Sequence, residues 1–480
     1  MSDGDEVGTA AVRAAASRVS AHLVPGDGPP LLRDLALLAE VDPGPPPRAW
    51  TEAHARLLSA VLIARARTDA LGEDVNFVER YFEDGRLTRP APLSSSARAD
   101  LYASVAEYLG AVGWPQAAAG FASDALIFAT SPGERFRALC ALAQALSLNA
   151  EFPRATSVVA EAREIFVGEG WAPEDFSLWL LYSDALLALG RADPARGLQL
   201  AQEAEEARPD DPYWLFAAEL IRLTAHWVLG DIPGALAKAR RLLHGSGRAR
   251  SYRHMRERLH GMCSGLLALQ GEYAEALGVL ERQESHAGHT ICFPNLRATV
   301  LLQVGRDQEL IDATDTCVTM ADHCLFALPS LLTRRAVAFL RLGQQKRAAA
   351  SMASALPLIE RTGGPQFTFS MLLAGEVTQL LDLVAAERPD LAAEVAAARA
   401  ALPHPEAAES EPETADPQRE LTVTERELSR LLLTDLSLTQ IAQQRGVSVN
   451  TVKTQVRSIY SKWGVSNRQA LARMLRSARG

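Results

Sequence analysis

The feature that most restricts what this chain can fold into is a phrase that recurs through its middle. An apolar helical stretch meets a small turn residue and is followed at once by a second, alanine-rich helical stretch. The turns fall at Gly113 in EYLGAVGWPQAAAGF, Ala150 in LSLNAEFPRATSVV, Gly190 in LLALGRADPARGL, Gly230 in WVLGDIPGALAKA, Gly271 in LALQGEYAEALGV, Gly305 in LLQVGRDQELI and Gly343 in FLRLGQQKRAAA, spaced by 34 to 41 residues. Glycine at such a turn supplies the left-handed backbone that stops the first helix, and alanines after it let the second helix approach closely. Two-helix units of this length stack in series, each burying its apolar face against its neighbours. The expected fold class is therefore all-α, a helical-repeat solenoid.

The pattern resembles tetratricopeptide repeats in degenerate form. Residues from about Leu31 to Arg86 also carry helical periodicity, broken by the prolines between Pro43 and Pro47, and RPAPLSSS from Arg89 to Ser96 reads as a connector. Near the other end, PHPEAAESEPETADPQRE from Pro403 to Glu420 holds six acidic residues, four prolines and no large apolar side chain. Such a segment cannot pack a core, and it reads as a flexible linker.

Charge separates the regions that the linker joins. The chain carries a formal net charge of -9, yet Leu421 to Gly480 holds ten Lys and Arg against Glu425, Glu427 and Asp435. A basic tail of +7 thus follows a body of -16, a polarity that suits an anionic partner for the tail alone. No apolar run is long enough to span a membrane and no basic-then-apolar leader opens the chain, so the expected location is cytoplasmic. Five irregularly spaced cysteines (Cys140, Cys263, Cys292, Cys317, Cys324) do not make a disulfide framework.

The tail announces its helices. Thr422 with Glu425, Ser437 with Gln440 and Ser466 with Gln469 are capping-box pairs, and Ser448 alone caps a helix between the last two. Between the second and third helices lies RGVS, where Gly446 permits a sharp turn and Val447 is expected to bury between the helices. On the third helix Val452, Val456, Ile459 and Trp463 share one side. The opposite side carries Asn450, Thr454, Arg457 and Ser461 with Lys453 on its flank, side chains that reach base edges and phosphates in a major groove.

The run LTVTERELSRLLLTDLSLTQIAQQRGVSVNTVKTQVRSIYSKWGVSNRQALARML closely resembles the LuxR-type DNA-binding domain, over about one eighth of the chain. The resemblance rests on Leu421, Thr422, Glu425 and Glu427, on Gln440 to Ala442, and on the VS, TVKT, IY, K and GVSNR runs. It implies a four-helix helix-turn-helix domain on double-stranded DNA, with Lys453, Thr454 and Arg457 at bases or adjoining phosphates. It further implies Thr451, Lys462 and Arg468 near the DNA backbone, and a fourth helix from Arg468 to Met474 available for dimerisation. With Asn450 these are the expected DNA-binding residues. Three positions depart from the family: Thr424 for a usual Arg, Gln455 for a frequent His near the DNA face, and Trp463 for a typical Leu.

The expected organisation is then an N-terminal helical region with Pro-rich connectors over 1–95, a TPR-like domain over 96–402, an acidic Pro-rich linker over 403–420 and a LuxR-type module over 421–480. No G-x-x-x-x-G-K-[ST] loop is present, none of the four lysines having that setting, and the chain does not alternate strands and helices as a receiver domain would. No catalytic residue, cofactor or metal is expected. The body is left to receive a protein, peptide or small-molecule signal, with RNA polymerase as a further partner and gene activation implied by the resemblance. The competing reading is an interaction scaffold with a non-specific basic tail.

Two clusters stand apart. HAGHTIC and CVTMADHC place His286, His289, Cys292, Cys317, His323 and Cys324 close in sequence, zinc-capable or thiol-sensing types. Without a CxxC pair they read as core cysteines and partly exposed histidines of neighbouring repeats. Trp171, Trp179, Trp214 and Trp227, at helical spacing, read as inter-repeat packing rather than a ligand-binding aromatic set.

Overall fold

Helices account for most of the computed structural model, which describes residues 3–26, 29–71, 77–89, 91–245, 251–285, 289–320, 323–362, 368–369, 371–402, 423–432, 436, 438–462, 465, 468 and 471. The chain opens with α1 (Asp3–Ala21), α2 (Leu32–Ala39) and α3 (Glu52–Thr68). A short antiparallel hairpin of β1 (Phe82–Glu83) and β2 (Arg86–Leu87) follows, paired Phe82 with Leu87 and Glu83 with Arg86. The periodicity did not reveal α1, nor this hairpin, whose strands of two residues are too short to show alternation.

Among the described residues, paired helices then run α4/α5 (Ser95–Val112, Pro115–Phe128), α6/α7 (Pro132–Leu148, Phe152–Glu169), α8/α9 (Leu178–Gly190, Pro194–Ala207) and α10/α11 (Pro212–Val228, Ile232–His244). They continue as α12/α13 (Arg253–Leu269, Tyr273–Leu280), α14/α15 (Phe293–Gln303, Asp307–Val318) and α16/α17 (Leu328–Arg341, Gln345–Thr362). The helices α18 (Ala374–Glu387) and α19 (Ala392–Ala400) close the body.

Every turn read from the sequence joins the two helices of one such pair, and each uses the same cap. A residue of positive φ stands at Gly113, Ala150, Gly230, Gly271, Gly305 and Gly343. The residue after it bonds back five positions, as in Trp114 N–H to Leu109 O at 2.9 Å and Gln344 N–H to Phe339 O at 2.8 Å. This double-bonded ending satisfies carbonyls that the helix leaves open. One turn is displaced: α8 runs through Gly190, and Ala192 takes the left-handed conformation at φ 58. Close approach also has its residue, since a Cβ at Gly265 would come within 2.8 Å of the Trp227 ring.

Successive pairs pack side by side, but the stack also touches itself. The Tyr213 hydroxyl donates to Thr68 O at 3.0 Å, and Arg256 meets Asp69 at 2.6 Å. Farther along, Gln116 Nε2 donates to His323 O at 3.3 Å and Leu325 N–H to Asn149 Oδ1 at 3.0 Å. The body is thus a coil whose late repeats close on its first. The first three helices share one apolar core with the opening repeats, running from Ala15 to Leu187.

The carboxy-terminal module has α20 (Val423–Leu431), α21 (Leu438–Arg445) and α22 (Val449–Lys462) around a separate core. The linker 403–420, the caps at Thr422, Ser437 and Ser466, Trp463, and most of the expected fourth helix lie outside the described residues.

Candidate nucleic-acid interface

The third helix of the module is set by its own amino end. The Ser448 hydroxyl accepts the Thr451 N–H at 3.0 Å, which supplies one of the acceptors a helix start lacks. Val452, Val456 and Ile459 are buried against Leu428, Leu432, Ile441 and Ala442. That apolar row fixes the rotation of α22 about its axis and so decides which positions are turned away from the core.

The turn before it repeats the device of the body. Gly446 has φ 65, its N–H bonds Gln443 O at 3.2 Å, and the Val447 N–H bonds Ala442 O at 3.1 Å. Val447 does not bury between the helices as expected but is 37% exposed, because the back-bond holds it at the rim of the turn. Two side-chain ties lock α22 in place. The Ser458 hydroxyl donates to Glu425 Oε1 at 2.6 Å, and Arg445 Nη1 donates to Gln455 Oε1 at 2.8 Å. Gln455 is therefore engaged between helices.

The expected DNA-binding residues fall into three groups. Thr451 is exposed at the first turn of α22. Asn450, Thr454, Arg457 and Lys462 lie on the same helix, with side chains outside the described residues. Arg468 is committed inside the module: its guanidinium donates to Leu432 O at 2.6 Å, Leu436 O at 2.7 Å and Leu431 O at 3.4 Å. These include the last carbonyls of α20, which have no partner within their helix.

The family model described as bacterial regulatory proteins, luxR family, matches residues 419–475. The carboxy-terminal module is a LuxR-family helix-turn-helix domain. A LuxR-family domain binds DNA, which makes this chain a DNA-binding transcriptional regulator. For the body the likeness is one of fold. The crystal structure of a Rap protein complexed with competence and sporulation factor matches with a TM-score of 0.53 at 13% identity, covering 75% of this chain and 99% of that one. The body is accordingly a TPR-like helical array. Comparison with curated proteins finds no match, and among the described residues no helix is long and apolar enough to cross a membrane.

In this conformation the LuxR-family module rests on the body. Lys453 forms an ion pair with Glu272, the residue that follows the left-handed Gly271 and starts α13. Leu373, just before α18, packs against the module's core. Burial raises the Tyr460 phenol above its ordinary value, and nearby Tyr273 of the body adds to the rise. Nothing in the sequence pairs these residues, because the contact depends on how far the coil has turned by α13.

A second feature escaped the sequence. The first helices of successive pairs, with the segment that joins α1 to α2, line a cavity of about 130 Å³, bordered by Arg67, Glu107, Arg137, Trp179, Trp214 and Tyr252. Arg67 grips Glu107 with two bonds, Nε to Oε1 at 2.8 Å and Nη2 to Oε2 at 3.2 Å. Burial alone would raise the Glu107 carboxyl, but the Arg67 charge and bonds outweigh it and the carboxyl stays below its ordinary value. Arg137 holds Asp100 at 2.9 Å and the Ser104 hydroxyl at 2.5 Å. The available signal was the single acid in the apolar run ASVAEYLGAV, since a buried charge needs a partner. Of the four tryptophans, Trp179 and Trp214 are buried at this wall, Trp179 lying 4.6 Å from Tyr252 between ring centroids. Trp171 packs on Phe136 and Phe166, and Trp227 faces Gly265.

Proposed function

We propose that the chain binds an operator as a homodimer through its LuxR-family module, and that the TPR-like body decides, by binding a protein, peptide or small-molecule signal, when the module is available. The observation that carries this reading is α22: a capped helix whose rotation is fixed by Val452, Val456 and Ile459, leaving the positions of Asn450, Lys453, Thr454 and Arg457 off the buried row. Lys453, Thr454 and Arg457 read base edges or adjoining phosphates, and Asn450, Thr451 and Lys462 complete the contact. Arg468 acts from behind, holding α20 in register. Two such helices in successive major grooves require a pseudo-palindromic site and a steep salt dependence. Activation, with RNA polymerase as a contact, follows from the family resemblance.

The division of labour is 1–95 and 96–402 as the sensing body, 403–420 as a linker, and 421–480 as the reader. Lys453 cannot hold Glu272 and a DNA phosphate at once, so the docked arrangement supports a DNA-free resting state. The cavity of about 130 Å³ suits a side chain or end group of a bound partner rather than a whole large ligand. The Rap protein was solved with a factor bound, which favours a partner of that general kind for this body.

The test is selection of genomic DNA fragments by the purified full chain at near-physiological salt, beside a Lys453→Ala, Arg457→Ala double variant. A two-fold-symmetric motif enriched by the first and lost with the second supports the reading. Arg457→Ala alone should weaken specific binding by about 1 to 3 kcal/mol. Equal, motif-free retention by both would leave only a basic tail on an interaction scaffold.

A further inference from the structure

The loops that open α14 and α16, together with the end of α15, bring five metal-ligand side chains into one cluster: His289, Cys292, Cys317, His323 and Cys324. Both histidines are buried, at 5% and 2% exposure, as are all three cysteines, so the expectation of partly exposed histidines does not hold. His286, the sixth residue named from the sequence, lies outside the described residues. The DNA-reading surface uses none of them.

The donor atoms converge. Cys292, Cys317 and His323 each offer one within 4.8 Å of the other two, and so do His289, His323 and Cys324, with His323 common to both sets. Cys292 Sγ and Cys317 Sγ are 3.8 Å apart. A disulfide would need about 2.05 Å. Two thiolates at about 2.3 Å from a tetrahedral zinc ion stand about 3.8 Å from each other, the edge of that tetrahedron.

The surroundings are those that orient such ligands. His323 Nδ1 lies 3.0 Å from Cys324 O, so that nitrogen donates to the backbone and Nε2 is left as the ligand atom. Nε2 is buried, and the ring interacts with the Cys317 and Cys324 thiols. Cys292 stands at the start of α14, where its sulfur accepts the Asn295 N–H at 3.4 Å, an N–H···S bond of the kind that supports a thiolate. The His289 and His323 rings meet edge to face at 4.8 Å.

We propose that Cys292, Cys317 and His323, with Cys324 or His289 in fourth place, bind one zinc-class ion per chain. The thiol protons leave on binding, and both sulfurs coordinate as thiolates. The ion would tie the loop before α16 to that before α14, where His323 O and Leu325 N–H already contact the first repeats.

The experiment uses the full chain, stripped with chelator under reducing conditions and titrated with cobalt(II), then with zinc against a chromogenic chelator. Expected are one equivalent bound, a thiolate-to-cobalt charge-transfer band, and the intense visible bands of tetrahedral cobalt, displaced by zinc. Cys317→Ser and His323→Gln should each weaken binding by more than about a hundredfold, with Cys140→Ser and Cys263→Ser unchanged. Helical circular dichroism on each variant separates lost ligands from lost fold, and Cys324→Ser beside His289→Gln identifies the fourth ligand. Folded wild type without the charge-transfer band would overturn the proposal. So would unchanged affinity in both folded Cys317→Ser and His323→Gln, or a Cys292–Cys317 disulfide in protein purified without reductant.

Discussion

The body and the module are made of the same parts used to different ends. Both end helices with a left-handed residue and a five-back bond, Gly113 in one and Gly446 in the other. In the body that turn sends the chain back along its neighbour so that apolar faces stack. In the module it swings α22 across α21 so that the row Val452, Val456 and Ile459 packs against both earlier helices. A repeated unit needs only a rough apolar face and a small turn residue, and its sequence drifts. A groove-reading helix needs particular polar residues at particular positions, and its sequence stays recognisable.

The largest expected effect tests whether the two are separate folding units. Ile459 is fully buried in the module's own core, and Ile459→Ala should cost about 2 to 5 kcal/mol there. DNA binding should vanish while the main thermal transition of the body stays within experimental error. Loss of both together would merge them into one cooperative unit.

Next comes the closure of the coil. Asp69 accepts the Arg253 N–H at 2.7 Å and pairs with Arg256 at 2.6 Å. Asp69→Ala removes both bonds, and at φ 57 it also places alanine in a left-handed conformation. A loss of about 1 to 3 kcal/mol is expected in denaturant titration, with less for Asp69→Asn, and no loss of DNA affinity.

Acid tests a buried histidine of the body. Burial, with Arg258 and Arg256 nearby, lowers His254 to about 3 from 6.5. The unfolded chain therefore takes up a proton below about pH 6.5 that the folded body refuses. Stability present above that pH is lost as pH falls, by at most about 1.4 kcal/mol per unit. The module's sequence contains no histidine. Glu257 on the same helix, raised to about 7 by burial, takes up a proton in the folded body over much of the same range and opposes this loss. The His254 contribution is therefore read by difference: in melting at pH 7 and pH 5, His254→Phe should gain stability relative to the wild type as pH falls.

The smallest effect bears on regulation. Glu272→Gln frees Lys453 from a partly exposed ion pair, worth at most about 1 kcal/mol. Operator affinity should rise a few-fold in a fluorescence titration. An unchanged affinity would detach the docked arrangement from control of DNA binding.

How much could be read beforehand differed between the regions for a physical reason. The turns, the buried row on α22 and the Ser448 cap follow from local rules, in which a residue's neighbours along the chain decide its state. Gly190 reads as a turn because glycine usually is one, yet α8 includes Gly190 and the left-handed residue comes two positions later, at Ala192. The resemblance implies Arg468 near the DNA backbone, and its bonds to the Leu432 and Leu436 carbonyls, which tie the module's segments together, leave no mark in the sequence. The residue types of the cysteine–histidine cluster and the lone acid Glu107 are legible, but their convergence and the Arg67–Glu107 and Lys453–Glu272 pairings depend on which helices the fold brings together. No short-range pattern records that.

The closure of the coil changes how the body can evolve and be cut. An open stack behaves like beads on a string: a unit can be added or dropped at an end, and total stability shifts by that unit's share. Here Asp69 reaches Arg256, and Asn149 reaches Leu325, so the segments between them are held like the hoops of a spring pinned at intervals. Shortening such a spring by one turn misaligns every later pin. Length is therefore a fixed property of this body, and natural variation should accumulate in the faces of its repeats rather than in their number.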